Sequence, residues 1–143
     1  MRAVGVDLGA RRIGIALSDS GGTLATPWTK VERCGDEALD HRRIADLVEE
    51  AEAETVVVGL PLSLDGSVGP AAEAVLAEVE RLRAVLAVPV ETYDERLTTV
   101  TAERVLREQG VTGRRRRQVV DQVAASVFLQ AWLDAGAPTT DDP

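Results

Sequence analysis

Asp7, Glu95 and Asp121 are the residues of this 143-residue chain whose types and spacing suit chemistry. Asp7 closes the short apolar run AVGVD, and the Asp94-Glu95-Arg96 triplet ends the strand-like run VPVETYD. Asp121 stands near the start of a helical pattern in which positions 121, 125, 128 and 132 share a face, the last three being Ala, Phe and Trp. In α/β sheets, sites form beyond the carboxyl ends of strands. Two unit charges about 4 Å apart repel by roughly 4 kcal/mol at an effective dielectric near 20, so converging carboxylates call for a cation. One histidine (His41) and one cysteine (Cys34) leave no His/Cys zinc set, so oxygen ligands would hold Mg²⁺ or Mn²⁺. Such ions activate an attacking water and stabilise a leaving oxygen in phosphoryl chemistry. Each acid also has a plainer reading. Asp7 suits a turn, Asp121 favours a helix N-terminus through the dipole, and 94–96 suits a solvated loop. Three acids at the ends of buried segments favour the metal site; whether Asp94 shares the role of Glu95 stays open.

The basic residues are clustered. Arg114-Arg115-Arg116-Arg117 forms one block before Asp121, and Arg11-Arg12 a smaller one after Asp7. The net charge of −8 argues against a protein that coats nucleic acid generally, since such binding rests on phosphate neutralisation. An acidic domain can still present one basic face. The segment GLPLSLDGS (59–67) reads as a loop after a buried strand, with a turn at Asp65-Gly66. His41 lies among charged residues and reads as solvated. Cys34 has no cationic neighbour to make a reactive thiolate.

These residues need rigid elements to position them. Residues 3–7 and 12–18 read as a hairpin around a glycine turn, and TLATPWTKVER as a third strand at an edge or bulge because of Pro27. Helices are expected over 36–53, 70–87, 99–109 and 119–135, with a buried strand at 55–61 and another strand at 88–94. The order β-β-β-α-β-α-β-α-α gives an α/β fold with a mixed five-stranded sheet and helices on both faces. One domain is expected over 1–136, with a frayed polar tail at 137–143. No apolar run reaches the roughly 20 residues of a membrane span, and the first residues lack a signal-peptide layout. With a single cysteine, the reading is a cytoplasmic protein.

The segments GVDLGARRIGIALSD, VVVGLPLSLDGS, YDERLTTVTAE and VDQVAAS, in this order, resemble the YqgF/RuvX family of pre-16S rRNA nucleases and Holliday-junction resolvase homologues. The resemblance runs from about residue 2 to 134. It implies a ribonuclease-H-like fold, a bacterial cytoplasmic location and processing of the 5′ end of 16S rRNA. It also implies catalytic and metal-binding roles for Asp7, Glu95 and Asp121. Gly9 would keep the turn open to substrate, and Arg11, Arg96 and Arg114, Arg115, Arg116 and Arg117 would hold the backbone; arginines stand in that block where relatives often carry lysine. Pre-16S rRNA is the first candidate substrate and a four-way DNA junction the second, the latter favouring a homodimer over a monomer. Two other classes compete: a non-catalytic nucleic-acid-binding module, and an actin-like ATPase or sugar kinase, whose Asp-Leu-Gly hairpin holds nucleotide phosphates but needs two such domains.

Overall fold

The computed structural model describes residues 2–95 and 113–135, with side chains in the last helix from residue 123 onward. Five strands, β1 (Ala3–Leu8), β2 (Arg12–Ser18), β3 (Ala25–Glu32), β4 (Thr55–Leu60) and β5 (Val90–Asp94), form one sheet in the order β3-β2-β1-β4-β5. β1, β2 and β3 are antiparallel, whereas β4 and β5 join parallel to β1. Helices α1 (Glu37–Glu50), α2 (Pro70–Arg83) and α3 (Gly113–Asp134) complete the described elements. This is the mixed sheet expected from the sequence; the helix expected over 99–109 and the tail at 137–143 lie outside the described residues.

The strand pleat sorts the core into two layers. Val4, Val6, Val56 and Val58 face α1 and α2, packing with Ile44, Val48, Val79 and Leu82. Ala3, Ala16 and Val57 face α3, packing with Ala125, Phe128, Leu129 and Trp132. The continuous apolar run of β4 therefore reflects burial on both faces, as in parallel sheets. Pro27 sits on the edge strand, paired with Ala16 beside a register shift, the setting in which sheets accommodate proline.

Element ends follow local chemistry. Asp36 caps α1, its carboxylate accepting from the Leu39 N–H at 3.2 Å, and Pro70 occupies the first turn of α2. The last helix starts at Gly113 rather than at 119, because the arginine run is itself a good helix former. Arg114–Arg117 thus belong to the first turns of α3, and Asp121 lies about two turns inside the helix instead of opening it. Among the described residues, no helix is long and apolar enough to cross a membrane.

Candidate active site

Gly5 lets α3 lie close on β1. A Cβ there would stand 3.0 Å from the Ala125 carbonyl oxygen and 3.1 Å from the Leu129 Cβ. Further along the helix, the Gln130 side-chain oxygen accepts from the Ala25 N–H at 2.8 Å, and its amide donates to the Thr23 carbonyl at 2.9 Å. Ala25 pairs with Ser18, whose hydroxyl accepts from the Ala3 N–H at 2.7 Å. The C-terminal half of α3 is therefore tied to the start of β1, and Ala125 stands over its middle.

Asp7 is in the central strand, half-buried, on the face that α3 covers. Its partner on β2 is Gly14. On the other side, the parallel register pairs Val6 with Val58, so Gly59 is the next residue along β4. Both flanking strands thus present glycine beside Asp7, so neither raises a side chain of its own there.

Glu95 follows β5, its N–H donating to the Leu60 carbonyl at 3.2 Å. The side chain folds back over β4: a Cβ on Gly59 would fall inside the Glu95 carboxylate and within 2.7 Å of the Phe128 ring. Gly59 is thus required as bare backbone, an approach no other residue allows. Pleating puts Tyr93 and Glu95 on the α3 face, the face of Asp7, and turns Asp94 to the other. Burial pushes the Glu95 carboxyl above its ordinary value, and the charge of Asp94 adds to the shift. A carboxyl so perturbed by burial and a neighbouring charge is a functional-site candidate.

Of the remaining expected site residues, Gly9 and Arg11 lie in the β1–β2 turn, with Arg11 exposed. The Gly9 N–H donates to the Asp7 carbonyl at 2.9 Å, so the chain turns back sharply right after the acid. Arg96 is outside the described residues, and Asp121 and Arg114–Arg117 are described as helix backbone alone.

Sequence reasoning missed a second cluster on the opposite face. His41 is not solvated: it is 2% exposed, and its Nε2 lies 2.8 Å from a Glu78 carboxylate oxygen. Arg33 takes the same carboxylate with both terminal nitrogens at 2.9 Å. Glu37, His41 and Glu78 bring ligand-type atoms within 4.8 Å of one another. Guanidinium groups already hold both carboxylates, Arg33 on Glu78 and Arg81 on Glu37, so this is an ion-pair network.

The sequence profile of the RuvX family, described as Holliday junction resolvase, matches residues 1–135. A Rhodococcus opacus protein named "Putative pre-16S rRNA nuclease" is 53% identical over 137 residues, spanning 93% of this chain and 77% of its own length. A Myxococcus xanthus protein of the same name is 48% identical over 142 residues, spanning 99% and 93%. Among solved structures, Thermus thermophilus RuvC in complex with a Holliday junction substrate aligns with a TM-score of 0.59 and 17% identity, over 96% of this chain and 98% of that one. That likeness is one of fold, and it makes the present sheet and helices ribonuclease-H-like. The chain belongs to the RuvX family of nucleases.

Proposed function

We propose that this nuclease is divalent-metal-dependent, with Asp7, Glu95 and Asp121 as its metal-binding and catalytic acids, and that it trims the 5′ end of pre-16S rRNA in the bacterial cytoplasm. The observation that carries the proposal is the Glu95 carboxylate folded over Gly59, on the same face and beside the same strand as Asp7. The residues fit Mg²⁺ or Mn²⁺. They offer hard carboxylate oxygens, and among the described residues no histidine or cysteine shares this face. When bound, the cation neutralises the converging acids and polarises water and phosphodiester.

The chain's own residues supply the rest. Asp7 pairs with Gly14 of β2 in a strand that β4 flanks on its other side up to Val6, and the Gly59 floor and Phe128 ring limit where Glu95 can go. Rigid placement of acids from separate elements is what phosphoryl transfer asks of a protein. Arg11, Arg96 and Arg114–Arg117 would meet phosphates, and Gly9 keeps the turn slim beside the strand. The names of the relatives favour pre-16S rRNA as substrate. The family description favours a second reading, resolution of four-way DNA junctions, for which two cuts ask for a homodimer.

A cleavage assay on a pre-16S leader RNA and on a synthetic four-way junction, each with Mn²⁺ and with EDTA, separates these readings. Metal-dependent trimming of the RNA alone supports the proposal, and junction cleavage alone transfers it to DNA. RNA binding without cleavage under any metal condition contradicts it.

A further inference from the structure

The ion-pair network on the α1/α2 face is joined to the turn that follows Asp7. Arg33, just after β3, donates from Nε to the Gly9 carbonyl at 2.7 Å while its two terminal nitrogens hold Glu78 on α2. Its backbone N–H also donates to the Arg11 carbonyl at 2.9 Å. Glu78 in turn is held by buried His41 on α1, so the fork of Arg33 has little freedom. Arg33 is itself 18% exposed at its side chain, and Glu78 10%. Glu78 and the nearby Asp40 and Glu37 all favour its charged form.

This arrangement costs ordering and desolvation that a plain surface ion pair avoids. What it fixes is the backbone on both sides of Ala10, and hence the direction in which exposed Arg11 leaves the turn. Asp7 gains nothing comparable, because its strand is already paired on both sides.

We propose that Arg33 is a positioning residue for substrate binding: through the Gly9 and Arg11 carbonyls it aims Arg11 at the phosphate backbone, with Glu78 and His41 as its brace. The inference rests on the reading that Arg11 meets substrate phosphates. A planar fork with donors in three directions serves a carboxylate and a carbonyl together; the single ammonium of lysine does not.

The test is a double-mutant cycle on the full chain, with kcat and KM measured on a labelled pre-16S leader RNA in Mn²⁺. Arg33→Lys keeps a cation beside Glu78 and preserves the fold, as thermal unfolding will report. It raises KM about tenfold, the factor of one charge-assisted hydrogen bond, and leaves kcat within twofold. Arg11→Ala raises KM by a similar factor, and the double variant is no worse than Arg11→Ala alone. Glu78→Gln, which loosens the fork by another route, shifts KM in the same direction by less. Additive effects in the double variant overturn the inference, as does a fall in kcat at unchanged KM. An Arg11→Ala protein with wild-type KM instead removes the phosphate role of Arg11, a separate failure of the underlying reading.

Discussion

Glu95 occupies the space that a side chain on Gly59 would need, and the Phe128 ring closes the same space from α3. Gly59→Ala therefore forces the Glu95 carboxylate out of the place it holds over β4. Overpacking of this kind costs about 1–3 kcal/mol, so the variant stays folded with a lower Tm. Its nuclease activity falls at least about 10²-fold, because small misplacements at a reacting centre cost that much. Paired thermal unfolding and cleavage measurements check this; a Gly59→Ala enzyme of wild-type rate would contradict the geometry.

Glu95 is a destabilising charge in the metal-free protein. Its carboxyl is raised in the fold, by burial and then by Asp94, so the folded state binds the proton more tightly than the unfolded chain. Stability from this group is full at low pH and is lost as pH rises from the unfolded value of 4.5 through the folded one. Glu95→Gln removes that loss. At pH 7 without divalent ions, the variant melts a few degrees above the wild type while cleavage is abolished. Carboxyl NMR should place the Glu95 midpoint above the ordinary range, and Mg²⁺ should lower it.

Asp19 carries the opposite shift. The Thr23 hydroxyl donates to its carboxylate at 2.7 Å, as do the Thr23 and Leu24 N–H groups at 2.7 and 3.1 Å. These bonds hold its pKa at about 2, well under the ordinary 3.8. The loop stability it supplies is present above 3.8 and is lost as pH falls through about 2. Thr23→Val removes the largest cause, and the Asp19 midpoint in an NMR titration moves upward toward the ordinary value.

The hairpin, the doubly buried β4 and the parallel β5 were legible in the sequence because alternation and apolar runs report sheet burial directly. Asp7 and Glu95 were legible as candidates because they close strands. The start of α3 was not, since four consecutive arginines look like a solvated run although each favours helix. His41 was misread for a longer-range reason: its partner Glu78 comes from another helix, and nothing local to His41 announces it. The role of Gly59 was missed as well. A lone glycine inside VVVGLP is the signal for close approach, but its occupant arrives from β5.

Phe128 is fully buried between the sheet and α3, and its ring borders both Gly59 and the space taken by Glu95. Phe128→Ala leaves a cavity in that layer and costs about 3–5 kcal/mol in a denaturant titration. In conditions where the variant is folded, Glu95 gains room and the cleavage rate drops; Phe128→Leu restores most of the stability and part of the rate.

The claim that Asp7 holds the reactive centre is tested most directly by the single-turnover rate of Asp7→Asn on the substrate the wild type cuts, at saturating Mn²⁺. Asparagine keeps the size and the strand pairing and removes the charge, so the variant should melt with the wild type. The expected loss is greater than the roughly 10–100-fold that an outer-shell substitution causes, with no recovery at higher metal concentration. A folded Asp7→Asn protein that cleaves within a few-fold of the wild-type rate would contradict it.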